Sequence, residues 1–159
     1  MIRKQGGAHL RRATLADAPE IAALFIASRR DALPYLPEIH TEEDTRRWIP
    51  DAVLRKSAVW VAETDGAVVG FVSLTGDHVD HLYVRPGYYR RGIGGRLLAK
   101  AKEMSPARLR LFTFQRNERA RAFYEAQGFV VVALTDGDAN EEHEPDVLYE
   151  WNPSGPGPR

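Results

Sequence analysis

The chain has 159 residues, 43% of them hydrophobic, enough for one domain with a sizeable core. Its 22 Lys and Arg balance 22 Asp and Glu, so no global field draws it to nucleic acid or to an anionic membrane. Without cysteine it has no disulfide, thiolate metal site or cysteine nucleophile; no apolar run is long enough to span a bilayer, and Met1 to Gly7 lack a signal-peptide core, so the expected location is the cytoplasm.

In chain order, His9 to Thr14 reads as a short first strand. A helix follows, with Asp17 and Glu20 at capping-box spacing, Pro19 in its first turn, and Ile21, Leu24, Phe25 and Ser28 at helical intervals. Pro34 and Pro37 break it. Thr41 with Asp44 predicts a second helical start, for a segment carrying Trp48, Val53 and Leu54 that Pro50 kinks or divides. Ala58–Glu63 and Ala67–Leu74 are strands joined at Asp65-Gly66, a strong hairpin signal.

Val79–Val84 supplies the next strand, and the following helix places Ile93, Leu97, Leu98 and Ala101 at core spacing until Ser105-Pro106. Leu109, Leu111 and Phe112 belong to a further strand. Asn117 is a good N-cap for a helix in which Ala120, Phe123 and Tyr124 share a face, with Gly128 suited to the position just past its end. Phe129–Leu134 and Val147–Trp151 complete the strands. Alternating elements with one early hairpin predict an α/β fold, a mixed sheet covered by helices. Residues 1–152 are expected to form a single domain, and 153–159 a disordered tail.

The most informative stretch runs from Leu82 to Leu98, where an apolar strand enters a basic, glycine-rich turn that opens a helix. Helix N-termini expose unpaired N–H groups and the positive end of the macrodipole, so the turn reads as a pyrophosphate cradle. Gly92 and Gly94 admit a close backbone approach, and Arg90, Arg91 and Arg96 add charge. Other phosphate loops fail on residues. Gly94-Gly95 is followed by Arg96-Leu97 where a Walker A loop has Lys and then Ser or Thr, and Leu97 stands where a dinucleotide fingerprint has its third glycine.

Tyr89-Arg90-Arg91-Gly92-Ile93-Gly94 resembles the acetyl-CoA signature of the GCN5-related N-acetyltransferases, Gln/Arg-x-x-Gly-x-Gly/Ala, with Tyr89 in place of the usual first residue. Asn117 to Phe129 resembles the second motif of that family, Asn-x-x-Ala-x-x-Phe-Tyr-x-x-x-Gly-Phe, and the likeness extends from about the second strand to the end of the chain. The resemblance implies a mixed, mostly antiparallel central sheet with a splayed strand pair, flanked by helices. It also implies acetyl-CoA as donor cosubstrate, held by Leu82, Tyr83, Val84, Tyr89, Arg90, Arg91, Gly92, Ile93, Gly94, Gly95, Asn117 and Tyr124. The pantetheine arm would pair with the main chain near Leu82 and Val84 as an added strand. A backbone N–H around Val84 would face the oxyanion, a contact worth roughly 10²–10³ in rate.

The implied reaction is direct attack of a primary amine, of a small molecule or a peptide, in a ternary complex. Tyr124 is the candidate acid for the leaving thiolate, since a phenol keeps its proton at neutral pH. His81 is ranked first and Asp80 second as the general base. Alternation on a strand would put His78 and Asp80 on one face and Asp77 and His81 on the other unless a bulge intervenes, which argues against a metal site from His78 and His81. Tyr35 and Trp48, with Glu142 and Glu144 in the acidic stretch 136–146, are candidates for the acceptor pocket. A homodimer is common in the family. The alternatives are a non-catalytic acyl-CoA-binding or sensor module on the same fold, and a nucleotide-binding regulator.

Overall fold

The computed structural model describes residues 7–155. Seven strands form one sheet: β1 (His9–Arg12), β2 (Ala58–Thr64), β3 (Ala67–Thr75), β4 (His78–Val84), β5 (Leu109–Phe114), β6 (Val130–Leu134) and β7 (Asp146–Trp151), in the spatial order β1-β2-β3-β4-β5-β7-β6. All neighbours are antiparallel except β4 and β5. That parallel pair meets only at His78 and Arg110, next to an Arg110 N–H bond to the Asp77 carbonyl at 2.8 Å. Beyond this point the strands diverge, and the sheet carries the expected splay.

Local sequence accounts for most elements. Asp65 and Gly66 both have positive φ, 51° and 79°, the type I′ geometry that closes a two-residue hairpin between β2 and β3. Helix α2 (Glu42–Trp48) opens on the expected capping box, with Asp44 N–H on Thr41 Oγ1 at 3.0 Å and Thr41 N–H on Asp44 Oδ2 at 3.2 Å. Pro50 lies in a widened π turn, Ile49–Val53, before the short α3 (Leu54–Lys56). Helix α5 (Glu118–Ala126) ends in a Schellman turn, Phe129 N–H reaching the Tyr124 carbonyl and Gly128 N–H that of Glu125.

Helix α1 (Ala18–Ala32) starts differently from the expectation. Asp17 and Glu20 form no capping box. Asp17 turns back to accept the Thr14 N–H at 2.8 Å and both terminal nitrogens of Arg11 at 2.8 Å, and those bonds hold its carboxyl below the usual carboxylate range. Glu20 accepts the Val68 N–H at 2.9 Å and ties α1 to β3. A local spacing rule lost to tertiary partners.

Two apolar layers sandwich the sheet. On one face α4 (Ile93–Met104) buries Leu97, Leu98 and Ala101 against Val72, Leu74 and Leu109. Fully burying each leucine contributes about 1.5–3 kcal/mol. On the other face α1 and the π turn bury Ile21, Leu24, Ile49 and Val53 against Val61 and Phe71. Strand β6 is covered on neither face, and all five of its residues are exposed. The first residues of the expected tail, Pro153–Gly155, fold back in a turn held by the Gly155 N–H bond to the Asn152 carbonyl. Residues 1–6 and 156–159, with the leader and tail readings made on them, lie outside the described residues.

Candidate active site

The main chain of β4 shapes one half of the site. The Arg85 N–H bonds the Val69 carbonyl at 2.7 Å while Gly70 lies opposite Val84, so Val84 and Leu82 turn their N–H and C=O groups away from β3 and toward the splay. The Val84 carbonyl accepts the buried Ser28 hydroxyl of α1 at 2.7 Å, whereas Tyr83 points its ring to the α1 face among Phe25 and Phe71. A chain entering the splay therefore meets an edge at Leu82 and Val84 that pairs with no other strand among the described residues.

Past β4 the chain makes the cradle. Gly92 is the N-cap of α4 at φ 77°, a left-handed conformation that disfavours a side chain, and it offers no capping group. The first intrahelical bond runs from the Arg96 N–H to the Gly92 carbonyl, which leaves the N–H groups of Ile93, Gly94 and Gly95 pointing out of the helix. A Cβ on Gly94 would sit 3.4 Å from the Phe123 ring of α5, so α5 walls the cradle closely. Arg90 and Arg91 are exposed, Arg91 lying 4.9 Å over the Tyr88 ring. Arg96 is diverted from the turn, donating instead to the Ala8 carbonyl near β1. The exposed amides, the glycines and the strand edge fit a diphosphate on a pantetheine arm.

Tyr124 and Asn117 come from α5. The Asn117 side-chain oxygen caps the helix, accepting the Ala120 N–H at 3.2 Å, which leaves its amide nitrogen for other partners. Tyr124 is buried among Phe123, Phe129 and Tyr149, and its hydroxyl makes no hydrogen bond among the described residues. Burial pushes its phenol well above the ordinary value, with a smaller contribution from Tyr83. The group holds its proton across the physiological range.

His81 sits on the other wall, in an aromatic nest of Phe25, Trp48, Phe71 and Tyr83 with ring centroids 5.1–6.3 Å away. Burial lowers its pKa to about 4, opposed by Asp80 and assisted by Arg29 and His78. Its strand corrects the alternation argument. The register slips between Ser73 and Leu74: Ser73 faces His81, Leu74 faces Val79, and Asp80 is the extra residue of a bulge. Thr75, which faces His78, shares a side of β3 with Ser73, so His78 and His81 lie on one face. Asp80 joins them there, accepting the Thr75 hydroxyl at 2.5 Å and lying 3.9 Å from His78. Even so, no cluster of three metal-ligating side chains occurs among the described residues. Ser73 Oγ, cross-strand from His81, is fully buried and has no hydrogen-bond partner among the described residues.

Above His81 opens a cavity of about 920 Å³ between α1, the 33–45 segment and the 139–142 loop. Trp48 and Glu142 line it, along with Glu38, Glu42, Asp44 and Glu141, against the guanidinium groups of Arg29 and Arg30. An ion pair, Arg29 to Glu142 at 3.0 Å, and a hydrogen bond between His40 and Glu141 at 2.7 Å tie its walls. Tyr35 and Glu144 do not line it. Tyr35 lies under Arg116, whose guanidinium is 3.8 Å from the ring centroid, and Arg116 pairs with Glu144 at 2.6 Å. They clamp the outside of the acidic loop, which the tight crossing of Gly137 over the Glu144 backbone also holds folded. Phe25 and Arg29, which the sequence alone does not mark for the pocket, also line it; Arg29 stands one helical turn from Phe25, a spacing that puts them on one face.

Residues 55–131 match the family model described as an acetyltransferase (GNAT) domain. The peptidyl-lysine N-acetyltransferase YiaC of Escherichia coli (strain K12) is 34% identical over 143 residues, 89% of this chain and 95% of YiaC. The probable N-acetyltransferase Rv2775 of Mycobacterium tuberculosis is 31% identical over 152 residues, 83% of this chain and 85% of that protein. The solution structure of apo YjaB from Escherichia coli superposes with a TM-score of 0.77 at 26% identity, covering 91% of this chain and 97% of YjaB. The PaiA N-acetyltransferase of Thermoplasma acidophilum, solved in complex with coenzyme A, shares the fold with a TM-score of 0.71 at 20% identity, covering 91% and 98%.

Proposed function

The chain belongs to the GNAT family and is an acetyl-CoA-dependent N-acetyltransferase, and from that premise we propose that its acceptor is the ε-amine of a lysine in a peptide or protein. One observation carries this reading: the cavity over His81 is open at the surface, and its lining sets five carboxylates against two guanidinium groups. Such a field concentrates cations, and a slot walled by Trp48 and Phe25 packs the methylenes of a lysine while its ammonium reaches His81. The likeness to YiaC, named a peptidyl-lysine N-acetyltransferase, supports the same class.

Acetyl-CoA supplies an activated acyl thioester. The chain holds it with the amides of Ile93, Gly94 and Gly95, the strand edge at Leu82 and Val84, and the free amide nitrogen of Asn117. His81, neutral at pH 7, is an acceptor for the amine proton. With so low a pKa it draws little from a free ammonium, so the first ammonium proton passes to solvent and the neutral amine attacks; the nitrogen then bonded to the carbonyl carbon is a far stronger acid, and His81 takes its proton as the carbon–sulfur bond breaks. Tyr124 keeps its proton and offers it as a hydrogen bond to the departing sulfur. Asp80, bonded to Thr75 beside His78, supports the local charge and does not act as base in this scheme.

The test compares kcat/KM for lysine-containing peptides with that for polyamines, aminoglycosides and free amino acids. Peptide acetylation with Nε regiochemistry, by mass spectrometry, supports the reading; turnover of a small polycation alone overturns it. The proposal includes action in the cytoplasm; no helix of the described residues is long and apolar enough to cross a membrane. It includes a homodimer through the exposed β6 edge, where Val130 and Leu134 are 61% and 62% exposed, and light scattering would read its mass.

A further inference from the structure

The first position of the acetyl-CoA signature holds Tyr89 in place of Gln or Arg, which removes a cationic or amide donor from the phosphate turn. We propose that Arg119, laid over the ring of Tyr89, supplies the missing contact to the diphosphate of acetyl-CoA, and that Tyr89 is its positioning residue. The Arg119 guanidinium lies 5.0 Å from the Tyr89 ring centroid. Arg119 is four residues before Phe123 on α5 and shares its face, and Phe123 is the side chain that walls the cradle at Gly94. Phe123 thus closes the cradle at the helix amides, and Arg119 overhangs the turn one helical turn earlier.

Arg90 and Arg91 of the turn are exposed, but the cations on either side of Arg119 are committed elsewhere. Arg116 pairs with Glu144 and Arg121 bonds the Tyr149 hydroxyl, whereas Arg119 makes no ion pair among the described residues. Burial together with the nearby Asp31 carboxylate raises the Tyr89 phenol above its ordinary range. Its flat face carries the Arg119 guanidinium. A guanidinium fork matches two phosphate oxygens at once, so one arginine replaces the donor that Tyr89 lacks.

The test is calorimetry with three probes: acetyl-CoA, acetyl-dephospho-CoA, which lacks the 3′-phosphate, and S-acetyl-pantetheine, which lacks every phosphate. Arg119→Ala is expected to weaken the first two equally, about tenfold, and to leave the third unchanged. Tyr89→Phe keeps the ring and near-normal affinity; Tyr89→Ala loses as much as Arg119→Ala, and the double variant loses no more. Tyr89→Gln in the Arg119→Ala background restores acetyl-CoA affinity. A loss confined to acetyl-CoA would move the contact to the 3′-phosphate and overturn the proposal. An equal loss for all three probes, or none, overturns it as well. These are donor affinities, so they are independent of which amine is the acceptor.

Discussion

The donor and acceptor halves of the site are built from different materials. The donor half is mostly backbone: three helix amides, a strand edge and glycines that expose them. The acceptor half is mostly side chains, an aromatic nest around His81 and a cavity whose walls are joined by the Arg29–Glu142 ion pair and the His40–Glu141 hydrogen bond, each between residues more than 100 positions apart. A backbone site tolerates side-chain change wherever the chain path survives. A side-chain site changes its ligand with each substitution, which is why related proteins can share a donor and differ in acceptor.

The largest expected effect lies where the two halves meet. Tyr124→Phe should lower kcat by about 10²-fold or more while leaving the affinity for acetyl-CoA within about twofold, because the hydroxyl has no partner among the described residues and its hydrogen bond matters only as the sulfur leaves. Rapid-quench turnover paired with calorimetry separates the two quantities. Unchanged turnover would reduce Tyr124 to a core aromatic. Next is His81→Phe, which keeps the aromatic packing and removes the proton acceptor, with an expected loss in kcat of about 10–10²-fold.

The pH dependence sharpens the role of His81. Its folded pKa of about 4 lies below the ordinary 6.5, so the imidazole is neutral above about pH 5 and acceptor availability is constant from there upward. The profile of kcat/KM should then rise with the deprotonation of the amine, without an inflection near 6.5. Stability follows the same sign: the unfolded chain binds the proton first, so the stability carried by neutral His81 is complete above pH 6.5 and is lost as the pH falls from there toward 4. An inflection near 6.5 in the rate profile that vanishes in His81→Phe would mean that substrate binding restores an ordinary histidine.

On the donor side, Gly94→Val should weaken acetyl-CoA binding about tenfold, since its branched methyls extend beyond a Cβ already 3.4 Å from Phe123 and cover the cradle amides. The folded state is checked by circular dichroism. Intact affinity in a folded variant would show that the diphosphate lies elsewhere.

The same contrast explains what could be read from the residues alone. The cradle is contiguous in sequence, so Gly92, Gly94 and the helix spacing of Leu97 and Ala101 identify it without tertiary knowledge. The order of helices and strands was legible for the same reason, through hairpin, capping and periodicity signals. Trp48 and Glu142 belong to the cavity as anticipated, but Tyr35 and Glu144 belong to the Arg116 clamp, and aromatic or acidic character does not say which. The face of Asp80 depended on a bulge, a single-residue slip that strand periodicity does not encode. The Glu20 side chain reaches from α1 to β3 and accepts the N–H of buried Val68, a tertiary partner that spacing within the helix does not reveal.

The smallest expected effect concerns Ser73, directly across from His81. Its hydroxyl is fully buried and unpartnered, and burying a hydroxyl without a bond costs about 1–3 kcal/mol. Ser73→Ala removes that penalty along with one small atom, so it should leave stability unchanged or raise it slightly, by up to about 1 kcal/mol in denaturant unfolding. If the acceptor floor works through packing around a neutral imidazole, kcat should also stay the same. A fall in kcat with unchanged stability would instead make the Ser73 hydroxyl a partner that His81 engages during turnover, and the acceptor half would then share the polar preorganisation that the donor half obtains from its backbone.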